Sequence, residues 1–343
     1  FDQVGVCVVM CRDEMKSHYE SLLGGTEIIE SHMHEGHLMI SHLNAEIAGS
    51  FLPDVTAAVR WLKSTFLYVR MRSANKDPGY YKLPKGRAVS ATDLDSHLKA
   101  LLSRNLHCLA ENSMIRFSDD GLAVQPLLLG QIMARFVVEF DTACSFRKVD
   151  ESYELDAIVN LLSNAAEFST LYLRHNEKKA LFQINESAAI RFPLMEGKKK
   201  SKIKTSAMKA SLLLQLRAGG HALGEFHSAD FTISRSGERI LNALVEYLTS
   251  EEKYCRALHA ALVLRRSLSS RFGWYDDPIA SVRQVEGIGP SLAAKLAEAK
   301  LGSLDALIGQ SPGRIEMVCG KHGGFGNAVL RHARVIHASA PLL

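Results

Sequence analysis

Apolar residues recur at helical spacing over most of this chain, and the pattern predicts a mainly α-helical protein. From Asp54 to about Arg72 the sequence DVTAAVRWLKSTFLYVR keeps its apolar side chains on one face behind an aspartate that can cap the helix. A second helix is predicted from Asp93 to about Asn112. The next segment, SMIRFSDDGLAVQP, predicts two short strands joined by a Ser-Asp-Asp-Gly turn. Helices followed by such a hairpin indicate a winged helix.

The later segments continue the helical pattern. Residues 126 to about 146 predict one long helix that leads away from the winged helix and connects it to the next module. A helical bundle is predicted over residues 151 to about 275 from the patterns ESYELDAIVNLLSNAAEF, LRHNEKKALFQINE, TSAMKASLLLQLRAGG and TISRSGERILNALVEYL. In the third of these, Gly219 and Gly220 provide a stop signal for the helix.

The opening run FDQVGVCVVM is apolar and β-branched, which is typical of a buried strand in a parallel sheet. The other strands of such a sheet are absent from the sequence, so we expect a fragment that begins at the edge of another domain. The sequence has no GxxxxGK[ST] phosphate loop and no acidic DExH-type metal box. This chain alone is therefore not expected to hydrolyse ATP.

The segment QVEGIGPSLAAKL predicts a helix, a tight Gly-Ile-Gly turn and a second helix, which is a helix-hairpin-helix. Gly287 and Gly289 are both expected to take positive φ, so a β-branched residue at position 289 should distort the turn. Backbone amides of the turn and of the next helix can then point at one nucleic-acid phosphate. The predicted phosphate site consists of Gly287, Ile288, Gly289, Ser291 and Lys295. The alternative is a glycine-rich turn used only for packing.

The helix predicted from about Thr232 to Leu248 carries a polar stripe opposite its apolar side. Its members are Thr232, Arg235, Arg239, Asn242 and Glu246. At about 1.5 Å per residue this stripe is roughly 21 Å long. Hydroxyl, guanidinium and amide groups along a rigid rod suit a single nucleic-acid strand beside it. The alternative is a face that simply meets water.

A basic loop, GKKKSKIK, lies between the second and third bundle helices. Because of its charge we expect it to be solvated and unable to bury its residues. It could contact phosphate or serve as a nuclear targeting signal, and the alternative is an ordinary exposed loop. Its lysines are Lys198, Lys199, Lys200, Lys202 and Lys204.

Two further residue types raise the question of metal binding. The cluster SHMHEGHLMISH contains His32, His34, His37 and His42, of which His34 and His37 have the spacing of one helix face. No cysteine or second ligand group lies at a known metal spacing, so packing or capping is favoured and no metal is expected. The six cysteines are scattered and are expected to be reduced core residues of an intracellular protein.

Composition adds outer limits. A chain of 343 residues predicts about two or three domains. Hydrophobic residues make up 47% of the chain, yet no apolar run approaches the roughly 18 residues that a membrane span requires. The net charge of +4 permits a nucleic-acid partner without establishing one, since binding faces depend on clustering rather than on totals.

Several motifs in this order resemble one known family. These are ESHMHEGHLMISHLNAEIAGSF, WLKSTFLYVR, SYELDAIVNLLSNAAEF, LFQINESAAIRFP and the hairpin segment. Over essentially the whole chain they resemble the C-terminal half of the Ski-like superfamily-two helicases. The segments GQIMARFVVEFDT and KHGGFGNAVL are more similar to the meiotic crossover branch than to the splicing and alkylation-repair branches.

This resemblance implies a four-part organisation. Residues 1–26 would be the C-terminal edge of the second RecA-like motor domain, and 27–148 the winged helix with its connector helix. Residues 149–275 would be a Brl-type helical bundle that includes the family's ratchet helix, and 276–343 the helix-hairpin-helix. Arg239 falls where the ratchet residue that contacts a base is expected, and Thr232 lies two turns before it.

The resemblance also implies a function. The chain would be the DNA-binding accessory region of an ATP-dependent 3′-to-5′ DNA helicase that acts on meiotic recombination intermediates in the nucleus. ATP and magnesium would bind the missing motor domains, with no cofactor in this region. The implied partners are single-stranded and branched DNA and MutL-type mismatch-repair proteins, with no membrane. A protein-interaction scaffold, and RNA rather than DNA unwinding, remain alternatives.

Overall fold

The computed structural model describes residues 5–25, 29–35, 37–73, 79–83, 90–250, 254–270 and 272–339. It forms two compact units. Unit 1 comprises the chain up to Ala110 together with Phe117–Gln125, and unit 2 comprises Glu111–Arg116 and everything from Pro126 onward. Helices dominate both units, so the mainly α prediction is confirmed. The finer four-part division stays a prediction.

Unit 1 contains the predicted helices and leads into the predicted hairpin. Its elements are α1 (Asp13–Leu23), α2 (Leu38–Ala48), α3 (Val55–Ser64), α4 (Phe66–Ser73) and α5 (Ala91–Glu111), followed by β1 (Ile115–Phe117) and β2 (Val124–Pro126). The two strands pair in a two-stranded sheet. Asp54 caps α3 as expected, because its carboxylate accepts the amide of Ala57 at 2.7 Å.

Two predictions for unit 1 are wrong. The helix expected from Asp54 to about Arg72 is broken at Thr65, which has extended backbone angles. The hydroxyl of Thr65 donates to the carbonyl of Leu62 at 2.7 Å, a local bond that competes with helix continuation. The buried strand expected near the beginning is absent over residues 5–12, where Val6 is 88% exposed. No strand of the described chain pairs with this run; residues 1–4 lie outside the described residues.

The first part of unit 2 is the predicted helical bundle. Its elements are α6 (Leu128–Phe136), α7 (Phe140–Phe146), α8 (Leu155–Ser163), α9 (Lys178–Glu186), β3 (Met195–Glu196), β4 (Lys199–Lys200), α10 (Ser206–Ala218), α11 (Asp230–Ser250) and α12 (Cys255–Ser270). Helix α10 is buried on almost all sides, and α11 packs against α12, α6 and α10. Gly220, at φ +69°, ends α10 as predicted.

The long connector helix predicted over residues 126–146 is instead two helices. Val137 ends α6 in the left-handed region, with φ 52° and ψ 49°. The amide of Val138 then donates back to the carbonyl of Met133 at 3.0 Å, which closes the helix end. The apolar spacing continues through Val137 and Val138, so it does not predict this break.

The basic loop is more ordered than predicted. Strands β3 and β4 form a short antiparallel hairpin around it. Ser201 and Ile203 are buried, whereas Lys202 and Lys204 are exposed. Burial therefore alternates along this segment, as it does along a strand. The expectation that this loop cannot bury its residues is therefore wrong, although it holds for most of its lysines.

The last part of unit 2 is a small helical domain with its own core. Its helices are α13 (Pro278–Arg283), α14 (Pro290–Glu298), α15 (Leu304–Ile308), α16 (Pro312–Cys319) and α17 (Phe325–Ser339). Buried side chains from all five form one hydrophobic cluster, including Val282, Leu296, Leu307, Ile315 and Val329. No helix in the described ranges has the length and apolarity that a bilayer crossing requires.

The cysteine prediction is only partly right. All six are free thiols. Cys319 is buried, and burial raises the pKa of its thiol. Cys7, Cys11 and Cys255 are exposed, so they are not the core residues that their apolar neighbours indicated.

Candidate nucleic-acid interface

The five stripe residues all lie along the solvent-facing side of α11. The opposite side is buried in the bundle through Ile233, Ile240 and Leu244, each at 0% exposure. Arg235 is exposed, and the other four stripe residues are half-buried. The amphipathic pattern of the sequence therefore correctly predicts which side of α11 faces the core.

The C-terminal part of the stripe is already bonded within the protein. The guanidinium of Arg239 donates to the carbonyl of Val137, with 2.5 Å between Nη1 and the oxygen. Glu246 forms an ion pair with Arg135 of α6. The side-chain oxygen of Asn242 accepts from Arg265 of α12 at 3.3 Å. These contacts fix the side chains that sequence reasoning treated as free to meet a strand.

The N-terminal part of the stripe is more open. Arg235 lies over the ring of Phe231, with 5.8 Å between the guanidinium carbon and the ring centroid. Phe231 is 71% exposed, which is unusual for an aromatic side chain of a bundle helix. Thr232 lines a cavity of about 410 Å³ together with Tyr172, which is 76% exposed. Sequence reasoning missed both aromatics, because an isolated aromatic residue carries no pattern that separates exposure from burial.

The hairpin turn differs from its prediction at one glycine. Gly287 has φ +86°, as expected. Gly289 has φ −83° and ψ 177°, so it is the extended N-cap of α14, and the prediction of a positive φ there is wrong. A Cβ built at position 289 meets nothing within 4 Å. A β-branched residue there is therefore no longer expected to distort the turn.

The other residues of the predicted phosphate site are either buried in the domain core or exposed to solvent. Ile288 is only 4% exposed and belongs to the domain core, so its side chain anchors the turn. Ser291 and Lys295 are exposed. No side chain caps α14, whose first residue, Pro290, has no N–H. Among the described residues, the amides of Gly289 and Ser291 donate to no backbone or side-chain acceptor, so the turn can offer them to an anion.

A set of polar contacts joins the bundle to the hairpin domain within unit 2. Arg191 donates to both carboxylate oxygens of Asp276, at 2.7 and 2.8 Å, and lies 5.2 Å from the ring centroid of Trp274. The Arg191 guanidinium lowers the pKa of Asp276. Arg283 of α13 donates to the carbonyl of Gly220 at 3.3 Å, and burial lowers its pKa. These contacts set the position of the hairpin relative to α11.

The basic loop shows two kinds of lysine. Lys198, Lys199 and Lys202 are exposed, with no ion pair to the described residues. Lys200 donates to the carbonyl of Glu186 at 2.9 Å, and Lys204 pairs with Glu196 at 2.8 Å. Three of the five lysines are therefore available to a phosphate, and two hold the loop.

The histidine cluster lies in unit 1 and is engaged in packing. His34 and His37 precede α2, so the shared helix face that their spacing permits does not form. The ring nitrogens of His34 lie 3.1 Å from the carbonyls of Ser31 and Tyr80. In the described ranges, no three His, Cys, Asp or Glu side chains are placed to hold a metal ion together. Nearby, burial and a hydrogen bond to Glu30 raise the pKa of Tyr81 to about 12.

Two domain families match this chain. Residues 30–119 match a winged helix-turn-helix domain, and residues 126–295 match the Sec63 Brl domain. The Brl match extends from α6 to Lys295, so it includes both the α11 stripe and the hairpin turn.

Full-length relatives agree with these domains. The chain is 33% identical to the probable ATP-dependent DNA helicase HFM1 of Xenopus tropicalis and 32% identical to the MER3 helicase homologue of Arabidopsis thaliana, each over 96% of the chain. The predicted resemblance to the Ski-like helicases is confirmed. It covers 24% of the length of that HFM1 protein and 29% of that MER3 homologue. The chain is 30% identical to the human U5 small nuclear ribonucleoprotein 200 kDa helicase, over 76% of the chain and 12% of that protein.

Proposed function

We propose that this region grips single-stranded DNA as an accessory part of an ATP-dependent 3′-to-5′ DNA helicase that acts on meiotic recombination intermediates. The names of the HFM1 and MER3 relatives support the reaction class. The observation that carries the proposal is the polar side of α11, with Arg239 fixed in its middle. ATP and magnesium would bind motor domains outside this chain, since it contains no phosphate-loop motif.

Arg239 supports a base contact rather than a loose charge contact. Its guanidinium is held by the carbonyl of Val137, so the orientation of its plane is set before any ligand arrives. A planar cation with a fixed orientation can stack on a nucleobase at low entropic cost. Thr232 and Arg235 then continue the path toward the N-terminal end of α11.

The hairpin would hold a backbone phosphate of the same strand. The amides of Gly289 and Ser291 at the start of α14 are the donors, and Lys295 adds a positive charge on the next turn of the helix. Lys198, Lys199 and Lys202 would contribute a weaker, salt-sensitive contact. Branched DNA and MutL-type proteins are the partners that we propose for the whole protein, and the nucleus is its proposed location.

A protein-docking role is the second candidate, and one observation favours it. Phe231, Tyr172 and Val137 are 71, 76 and 70% exposed, and exposed apolar side chains are the anchors that protein interfaces use. In the first candidate function, these side chains would pack against bases instead. RNA as the nucleic acid is a variant of the first candidate, because phosphate contacts do not distinguish the sugar.

Binding measurements separate these functions. The chain is titrated with fluorescent single-stranded DNA, branched DNA and an equal-length RNA over a series of salt concentrations. The proposal expects affinity for DNA that falls steeply with salt and drops in Arg239→Ala. Absence of DNA binding at low salt would contradict it and favour protein docking; equal affinity for RNA would remove the DNA preference.

A further inference from the structure

A polar cavity of about 410 Å³ lies beside the N-terminal end of the α11 stripe. Thr232 of the stripe is part of its lining, together with Lys209 of α10 and residues from the segments that precede α9 and α11. This volume is within the range of small-molecule sites, roughly 300–1,000 Å³. Tyr172 of the lining is 76% exposed, so the cavity is open to solvent. A strand that follows the stripe would therefore pass its opening.

Two residues of the cavity lining form a buried ion pair. The Lys209 ammonium donates to Oε2 of Glu177 at 2.7 Å and to the carbonyl of Tyr172 at 3.0 Å. It also lies 5.7 Å from the ring centroid of Phe226. Lys209 is only 6% exposed. Its bonds therefore fix the Glu177 carboxylate and the Tyr172 backbone in place at the cavity.

The Glu177 carboxylate is left with one open oxygen. The Lys209 ammonium and the Arg174 amide both donate to Oε2, the amide at 3.0 Å. Oε1 receives no hydrogen bond from the described residues. Burial opposes ionisation of this carboxyl, but the hydrogen bonds from Lys209 and Arg174 outweigh burial and lower its pKa. Glu177 is therefore an ionised acceptor with a fixed orientation at the cavity.

The charges of the lining favour a neutral ligand over an anion. Its charged residues are two cations and two carboxylates, namely Arg174, Lys209, Glu177 and Glu225. The buried cation, Lys209, is already paired and is not available to a phosphate. An open carboxylate oxygen repels phosphate, but it accepts an N–H of a neutral ring. The exposed ring of Tyr172 adds an aromatic surface on which a base can stack.

We propose that this cavity receives one unstacked base of the bound DNA strand, and that Oε1 of Glu177 accepts a hydrogen bond from the amino group of that base. The inference rests on the proposed function, since a strand beside α11 brings the base to the cavity. Cytosine, adenine and guanine carry an exocyclic amino group, whereas thymine presents a carbonyl oxygen in its place. A carboxylate oxygen therefore favours the amino bases and repels thymine. The cavity gives an otherwise sequence-independent grip a preference against thymine.

The test measures the affinity of the full chain for oligodeoxycytidine and oligothymidine of equal length, at neutral pH and over a salt series. Glu177→Gln removes the negative charge at nearly constant shape. The matched control is Glu225→Gln, which removes the same charge from an exposed residue of the same lining. Tyr172→Ala serves if the 177 variant unfolds, because it removes an exposed ring and keeps the carbonyl that Lys209 needs. Circular dichroism is the folding control.

We expect the unaltered chain to bind oligodeoxycytidine about fivefold more tightly than oligothymidine. This ratio should change little with salt, since the base contact neutralises no phosphate. Glu177→Gln and Tyr172→Ala should each bring the ratio close to one. Glu225→Gln should raise both affinities and keep the ratio.

Two kinds of failure are distinguishable. Equal affinity of the unaltered chain for both oligomers would overturn the inference and leave the proposed DNA grip intact. The same holds for a preference that survives in a folded Glu177→Gln or Tyr172→Ala variant, or that Glu225→Gln abolishes equally. Failure to bind either oligomer at low salt would defeat the proposed function, and the inference with it.

Discussion

The α11 stripe and the hairpin turn before α14 are both polar surfaces, but they differ in how many of their polar groups already have partners within the protein. On α11, Arg239, Asn242 and Glu246 each have a partner on α6, α12 or the turn after α6. At the hairpin, the amides at the start of α14 have no acceptor within the described chain. A fixed side chain suits recognition of a flat base, whereas open amides suit an anion.

This difference has a consequence for experiments. Substitutions on the stripe change bonds inside the bundle as well as any contact with a ligand, so every binding loss there needs a folding control. Substitutions that give the hairpin amides an acceptor should weaken the proposed phosphate binding with little effect on the fold. Variants of the two surfaces therefore test this difference directly.

Gly287→Val should have the largest effect. A β-branched residue at φ +86° is strained, and its Cβ would meet Phe325 at 3.3 Å. We expect a loss of about 3 kcal/mol in the free energy of unfolding, together with loss of the DNA contact that we propose for the hairpin. Denaturant unfolding followed by circular dichroism measures the first. Gly313→Val is a control, since its Cβ meets nothing within 4 Å. Equal stability of the 287 variant and the unaltered chain would show that the turn is not constrained.

Arg239→Ala should weaken binding of single-stranded DNA by about 2 kcal/mol if a base stacks on the guanidinium. Fluorescence anisotropy with a labelled oligonucleotide measures this. The matched control is Arg235→Ala, which removes the same charge from the exposed end of the stripe. A specific base contact predicts a larger loss at 239 than at 235. The same modest loss at both positions would reduce the stripe to a general electrostatic surface.

Gly289→Asp should place a carboxylate on the open amides of the hairpin turn. The extended N-cap conformation of Gly289 accepts any residue, and aspartate is a good N-cap that bonds the free amides. We expect DNA affinity to fall by about 1 kcal/mol, with unchanged or slightly higher thermal stability. Gly289→Asn has nearly the same shape without the charge. If the aspartate variant binds DNA as tightly as the asparagine variant, phosphate does not bind at this helix start.

Acid should weaken the connection between the two surfaces. The Arg191 guanidinium lowers the pKa of Asp276 below its ordinary value of 3.8. This pair therefore contributes stability above about pH 4, and the contribution is lost as the pH falls through the lowered pKa. Asp276→Asn should be less stable than the unaltered chain at pH 7, and the difference should be smaller at an acid pH below the ordinary pKa of 3.8. Thermal unfolding at both pH values measures it. A difference that persists in acid would mean that the carboxylate charge is not the source.

Glu246→Gln should have the smallest effect. It removes a negative charge from the polar stripe of α11 and releases Arg135 from its ion pair. A half-exposed pair is worth little, so stability should change by less than about 0.5 kcal/mol. DNA affinity at low salt should rise by about twofold and converge with that of the unaltered chain at high salt, since the gain is screened. A salt-independent gain would indicate a direct hydrogen bond from the new amide instead.

Hydrophobic periodicity predicted the helices, the buried side of α11 and the hairpin near residues 115–126, because burial of one face is a local property of sequence. It failed where a single residue decides the outcome. Thr65 and Val137 end helices whose apolar spacing continues beyond them. Such breaks depend on backbone bonds that spacing does not report.

The sequence predicts which residues share the candidate surfaces, but not the hydrogen bonds that these residues make. The sequence places Arg239, Asn242 and Glu246 on one side of a helix, yet their partners come from residues far along the chain, such as Val137 and Arg265. Likewise, the Gly-Ile-Gly pattern predicts a turn, but only the backbone angles show that Gly287 needs glycine and Gly289 does not. The ratchet and hairpin roles of these residues stay predictions.

The backbone conformation of Val137 affects thermal stability and the proposed DNA contact of Arg239 in opposite directions. A valine with left-handed backbone angles is disfavoured, and this one is 70% exposed, so burial of its side chain does not compensate. Glycine at this position should raise the melting temperature by relieving the strain. The same change would loosen the carbonyl that holds Arg239. A selection for thermal tolerance should therefore enrich Val137→Gly, whereas a selection for DNA handling should discard it.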